Sequence, residues 1–273
     1  MRKLTELIVL VRGGNEVGSA IAHKLFRSHF RVCITEIASP LDIDRGVCFS
    51  EAIYDTSKEV EGITAERTLV SLEQVYKVWR HNIIPILVDP DLTVKPLLKP
   101  DVLINAMLLN RPTNTKITDA PLVIGIGPGF SIGGDVHLTV EADSDRHPGQ
   151  VLIGEESEME GEGLGLIEKQ HPENINLAED AGVFTTEISI GDDIKSGDII
   201  GKLNEMLITA PVSGILRGLL RNEVKVLANS RLAEVVQSSN KAACFTFNDR
   251  ERAIAGGVLE AVMMSLNIEG IVS

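Results

Sequence analysis

The sequence predicts an α/β fold with a parallel sheet, continued by a β-rich part and closed by a helix. Three observations carry this expectation. Apolar, β-branched runs alternate with helix-period segments over residues 1–120; helical periodicity nearly vanishes over 121–247; it returns over 248–273. At 273 residues the chain is long enough for two ordinary domains. The expected division is an α/β domain at 1–120, a β-rich domain at 121–247 with a compact module at about 182–236, and a C-terminal helix packing on the body.

Leu7 to Val11 is a continuous apolar run, as required of a parallel strand covered on both faces. The following segment places Val17, Ile21 and Leu25 four residues apart, one stripe of a helix. A second strand, RVCITE, ends at Glu36. The segment SLEQVYKVWRHN predicts a helix with Leu72, Val75 and Trp79 on one side, and IIPILVD, Asp101–Ala106 and Pro121–Gly127 read as further strands. At the C-terminus Asn248-Asp249 supplies an N-cap, and Ile254, Val258, Val262 and Leu266 recur every fourth position. Gly256-Gly257 lies inside that helix, where close approach to another backbone is expected to offset the poor helix propensity.

Composition narrows the function. Apolar residues form 44% of the chain and charged residues 24%, enough to bury a core. A net charge of −13 with no Lys/Arg-rich block, together with 4% aromatic residues, argues against nucleic acid and anionic membranes as partners. Cys33, Cys48 and Cys244 form neither a zinc pattern nor a disulfide framework. With no apolar stretch of spanning length and no leader-like N-terminus, the expected location is the cytoplasm.

The turn after the first strand, Arg12-Gly13-Gly14-Asn15-Glu16-Val17-Gly18, is the first chemical signal. A dinucleotide turn needs one glycine for the sharp bend, a second so the pyrophosphate can approach, and a third for close helix–sheet packing. Gly13 fits the first role and Gly18 the third, while Asn15 stands at the second. Glu36 ends the second strand, where a carboxylate accepts hydrogen bonds from both ribose hydroxyls and repels a 2′-phosphate. The expectation is a Rossmann-like domain binding NAD(H) or a related adenine nucleotide through Gly13, Gly14, Asn15, Glu16, Gly18 and Glu36, with Arg45 nearby. The alternative is a turn that merely joins strand to helix.

The remaining candidates are weaker. Asp135 and His137 share a face of an alternating segment and could serve acid–base chemistry; Cys48 beside Arg45 is the best-placed reactive thiol. No metal site is expected, because the acidic Gly154–Gly165 stretch lacks the ligand spacing of a calcium loop. Downstream, the Ile194–Ile200 segment is echoed 32 residues later by Val226–Leu232, with Ala210-Pro211-Val212-Ser213-Gly214 between them. This pseudo-repeat resembles a biotinyl/lipoyl-type barrel-sandwich module. The Met-Lys of that family is replaced here by Met206-Leu207, so a compact β-module used for packing or docking, rather than a cofactor carrier, is expected.

Taken in order, VRGGNEVGSAIAHKLFRSHFRVCITEIASPL, CFSEAIYD, VIGIGPGFSIGGDVH, APVSGILRGLL and AIAGGVLEAV resemble the accessory proteins of selenium-dependent molybdenum hydroxylases over nearly the whole chain. The resemblance implies a maturation role, with a molybdenum hydroxylase or its cofactor as partner and a homo-oligomer as a further expectation. The chain departs from that family at Asn15, at Asp44-Arg45 and at Ser144–Gly149. The turn with its acidic strand end also resembles nucleotide-sensing domains of cation-transport regulators, which implies binding without turnover.

Overall fold

A computed structural model describes residues 3–109, 113–154 and 172–267. The chain forms two compact units. The first comprises Met1–Pro40, Phe49–Ile167 and Phe247–Ser273, and the second Leu41–Cys48 and Glu168–Thr246. The mixed α/β character, the further β-sheets and the C-terminal helix agree with expectation. The division does not fall at residue 120.

In the first unit, β1 (Ile8–Arg12) leads through α1 (Glu16–Arg27) to β2 (Arg31–Glu36). A short helix α2 (Ala52–Asp55) precedes the hairpin of β3 (Ser57–Val60) and β4 (Ile63–Thr68). Then follow α3 (Leu72–Arg80), β5 (Ile84–Val88), α4 (Lys95–Leu98), β6 (Val102–Asn105) and β7 (Leu122–Ile126). Strands β8 (Leu138–Val140) and β9 (Val151–Leu152) complete a nine-stranded sheet of order β3-β4-β5-β2-β1-β6-β7-β8-β9. From β4 to β8 neighbours run parallel, and the edge strands β3 and β9 pair antiparallel. The polar β3–β4 hairpin was not expected. The unit runs past residue 120 because β8 pairs directly with β7, Ile124 opposite Leu138.

Burial explains the layering. All five residues of β1 and of β7 are buried, as a strand covered on both faces demands. Leu10, Cys33, Leu87 and Leu103 share a core with Val75 of α3 and Leu98 of α4, and the Trp79 indole N–H donates to the Val32 carbonyl at 2.7 Å. Leu72, expected on the same stripe as Val75, is exposed. Val17, Ile21 and Leu25 of α1 are completely buried, each contributing roughly 1.5–3 kcal/mol relative to exposure.

Helix α5 (Asp249–Asn267) packs on α1. The Asn248 side chain accepts from the Glu251 N–H, while the Glu251 carboxylate accepts from the Asn248 N–H, a reciprocal cap at the expected position. Among the described residues no helix is long and apolar enough to cross a membrane.

The second unit contains β10 (Ile175–Leu177), β11 (Gly182–Thr185), β12 (Asp193–Ile194), β13 (Ile199–Leu203), β14 (Met206–Thr209), β15 (Gly214–Leu219), β16 (Val224–Val226) and β17 (Arg231–Val236). They form two four-stranded sheets, β10-β17-β15-β12 and β14-β13-β11-β16, around a core that includes Phe184, Ile200, Leu216 and Leu232. The pseudo-repeat takes physical form here. Its first copy crosses from one sheet to the other between β12 and β13, and its second crosses back between β16 and β17. The acidic Gly154–Gly165 stretch lies outside the described residues except for Gly154.

Candidate functional site

The sheet order places a crevice where a ligand site is expected. From β1 the chain moves to one side through β2, β4 and β5, then returns to the other side of β1 as β6. Strands that leave a common neighbour in opposite directions cannot both have their following segments cover its carboxyl end, so a cleft opens there. A cleft of about 430 Å³ is found at this point, lined by Arg12 and Gly13 after β1, Thr35 and Glu36 of β2, Asp91 after β5, and Thr113 beyond β6.

The Gly-rich turn holds the expected bend. Gly13 has φ 108°, and a Cβ there would sit 3.0 Å from the Ala106 carbonyl oxygen. A Cβ on Gly18 would lie 2.1 Å from the Gly13 oxygen, so only glycine lets α1 start this close to β1. These are the first and third glycine roles. The second position works differently. Asn15 is the N-cap of α1, its Oδ1 accepting from the Gly18 N–H at 2.8 Å, while its Nδ2 donates to the Ala106 carbonyl at 2.8 Å. The Gly14 N–H donates to Glu36 Oε2 at 2.7 Å. Ser50 closes over Gly14, donating its N–H to the Gly14 carbonyl at 2.9 Å, where the Ser19 hydroxyl also donates. Glu16 is buried. The amides of Gly14 and Gly18 are thus already bonded to the chain's own side chains.

An Asn15→Ala variant is expected to lose about 1 kcal/mol of stability, up to roughly 2. Urea denaturation checks this, and an unchanged midpoint would contradict the cap.

Glu36 stands on the cleft wall. Its two oxygens accept from the Gly14 and Ile37 N–H groups, each at 2.7 Å, leaving further lone pairs for ligand hydroxyls. Desolvation raises its pKa above the ordinary carboxyl value, against the lowering effect of those two hydrogen bonds. Arg12 is 7% exposed. Its guanidinium donates to the Pro90 carbonyl at 2.9 Å and to the Thr115 hydroxyl at 3.4 Å. Burial lowers the Arg12 pKa, opposed by Asp119, Asp91 and Asp89. Asn105, opposite Arg12 on β6, donates to the Thr113 and Thr115 hydroxyls.

The weaker candidates have other roles. His137 Nδ1 accepts from the Val123 N–H at 3.0 Å, and Asp135 accepts from the Ser131 N–H at 3.1 Å, so each fixes local backbone. Desolvation lowers the His137 pKa. Arg45 belongs to the second unit, where its Nε donates to the Leu219 carbonyl at 2.6 Å. Asp44, the departure beside it, lies 3.5 Å from Arg217 and 3.9 Å from Arg231. Cys48 is fully buried, as is Cys33, and Cys244 is nearly so. Burial raises the thiol pKa of Cys33 and of Cys244. The expectation of an accessible reactive thiol at Cys48 is corrected by this burial. In the native protein all three are expected to react with iodoacetamide far more slowly than free cysteine, and rapid alkylation of Cys48 would overturn that. Among the described residues no His, Cys, Asp or Glu cluster is arranged to hold a metal ion.

Sequence reasoning passed over Arg12, Thr35, Asn105 and Thr115. They are separated along the chain and meet only through the register of β1, β2 and β6 and the loop after β6.

No family model matches the chain. It is 32% identical over 260 residues to the uncharacterized protein YqeB of Escherichia coli (strain K12), the match covering 95% of this chain and 48% of that protein. The chain therefore spans about half the length of that curated relative. An aspartoacylase family protein of Mesorhizobium loti aligns over 86% of each chain at 10% identity and a TM-score of 0.27. The ectoine utilization protein EutE (DoeB) of Ruegeria pomeroyi aligns over 85% of this chain and 86% of its own at 12% identity and a TM-score of 0.26. Scores this low define neither a shared fold nor shared chemistry.

Proposed function

We propose that this protein is an accessory factor in the maturation of a selenium-dependent molybdenum hydroxylase. In this reading its first unit is a Rossmann-like domain that holds an adenine nucleotide, NAD(H) first, in the cleft between the ends of β1, β2 and β6. The observation that carries the nucleotide reading is the position of Glu36. It lies on the wall of a cleft of about 430 Å³, inside the roughly 300–1,000 Å³ typical of small-molecule sites, at the point where the strand order reverses. A carboxylate so placed accepts the two hydroxyls of a ribose and disfavours a 2′-phosphate. The maturation role rests on the resemblance of the ordered motifs.

The hydrogen bonding of Asp135 and His137 to backbone favours holding a ligand over transforming it. A nucleotide-sensing or scaffold role without turnover is therefore the second reading. The second unit is read as a barrel-sandwich module for docking, because its β13–β14 hairpin turns at Asn204-Glu205 and offers no lysine at the tip.

Titration calorimetry with NADH tests the nucleotide reading. Saturable binding is expected, and no binding at millimolar ligand would overturn it. Purification of the hydroxylase from cells lacking this protein tests the role: inactive, cofactor-deficient enzyme is expected, and fully active enzyme would refute it.

A further inference from the structure

The nucleotide reading leaves open where the ligand's negative charge sits. A dinucleotide turn would put it on the N-terminus of the first helix, but here Asn15 caps that helix and Glu36 holds the Gly14 amide. The cleft offers another place. Arg12 is 7% exposed, and among the described residues its five N–H donors meet only two partners, the Pro90 carbonyl and the Thr115 hydroxyl. Its Nε is buried with no hydrogen-bond partner among the described residues. Directly across the β1–β2 pairing stands Thr35, 1% exposed, whose hydroxyl is also buried without a partner among the described residues. Both residues line the cleft.

Two orphaned polar atoms on paired residues at one cleft are costly in an interior and need a reason. Neighbouring acids do not supply it. No described carboxylate lies within ion-pair distance of Arg12, Asp89 is engaged with Thr93 and Val94, and Asp119 with Lys95 and Lys116. Asp91 stands at the rim, exposed and therefore screened by solvent. A planar guanidinium with unused donors beside a hydroxyl matches a tetrahedral oxyanion, because the fork gives two parallel N–H bonds and the hydroxyl a third.

We propose that Arg12 and Thr35 form an oxyanion site that receives the diphosphate of the bound nucleotide, in place of the N-terminus of α1. The inference names the anionic end of the ligand in the proposed nucleotide cleft and rests on that reading. Because both donor atoms are buried, ligand binding requires the two side chains to turn them toward the cleft.

The test compares NADH, adenosine and inorganic pyrophosphate on the full chain by titration calorimetry, in wild type, Arg12→Met, Arg12→Lys and Thr35→Val. Pyrophosphate is expected to bind wild type and to compete with NADH. Arg12→Met should weaken both by about 10–100-fold while leaving adenosine unchanged; Arg12→Lys should restore part of the loss, and Thr35→Val should cost about 3–10-fold. Wild-type affinity for NADH and pyrophosphate in folded Arg12→Met would overturn the anion site while the nucleotide reading stood. Pyrophosphate binding that depends on Arg12, with neither NADH nor adenosine bound, would keep the site and refute the nucleotide. If Arg12→Met fails to fold, unchanged pyrophosphate affinity in Thr35→Val or absent competition in wild type overturns the proposal. No binding of any of the three ligands refutes both.

Discussion

Gly257→Ala is expected to destabilise the protein by about 3 kcal/mol or more, while Gly256→Ala, one residue earlier, is expected to stabilise it by up to about 1 kcal/mol. The two glycines share a helix and a helix propensity, so the sign difference comes from what each faces. A Cβ on Gly257 would stand 2.0 Å from the Gly149 carbonyl oxygen and 3.0 Å from the Gly149 Cα. Backbone lies on both sides of that contact, so relief requires moving α5 as a whole. The approach is mutual, since Gly149, at φ 89°, would place a Cβ 2.4 Å from the Ala253 oxygen. A Cβ on Gly256 would meet nothing nearer than the Lys24 Nζ at 4.0 Å, and the gain in helix propensity is left unopposed. Thermal unfolding reads both, with a fall of roughly 6–12 °C for Gly257→Ala. Equal shifts in the two variants would show that helix propensity, not contact with the Gly149 turn, governs this region.

Glu36→Gln is expected to lower NADH affinity by about 10–100-fold, the value of charge-assisted hydrogen bonds to ribose hydroxyls. The amide also turns an NH2 toward one of the two backbone N–H groups that Glu36 now satisfies, so stability should fall by about 1–3 kcal/mol. The pH dependence separates the two effects. Because desolvation raises the folded-state pKa, the native protein holds this proton more tightly than the unfolded chain. Glu36 therefore contributes stability that is fully present below the unfolded carboxyl pKa and is lost as pH rises through the higher folded value. Binding runs the other way, weakening as pH falls through that same raised value, because the acceptor becomes protonated. Glu36→Gln should lack both slopes. NADH affinity independent of Glu36 and of pH across this range would contradict its role.

Much of the first unit was legible because burial on both faces writes itself as uninterrupted apolar runs, seen in Leu7–Val11 and Pro121–Gly127, and because Val17, Ile21 and Leu25 repeat at helix spacing. The Asn248 cap and the close backbone approach at Gly257 were legible for the same local reasons. The β3–β4 hairpin was hidden, since SKEV and ITAERT are polar edge sequences whose pairing is carried by backbone hydrogen bonds. The extent of the sheet was also hidden. The short run Leu138–Val140 alternates like any β-strand, and only its parallel register with β7 assigns it to the first unit.

The site divides along the same line. Gly13, Gly18 and Glu36 announce themselves by spacing along one turn. Asn15 stands in sequence where the second glycine belongs, and its capping of α1 emerges only when its amide is seen between Gly18 and Ala106. Arg12, Thr35 and Asn105 carry no spacing signal, because parallel pairing alone aligns them across the ends of three strands.

The most direct measurement is a backbone amide NMR titration of the labelled protein with NADH. The account predicts saturable shift changes at Gly13, Thr35, Glu36 and Ile37, with the Gly18 amide unmoved because Asn15 keeps it capped. Displacement of Gly18 and its neighbours in the first turn of α1, or no change around Glu36 at millimolar ligand, would contradict it.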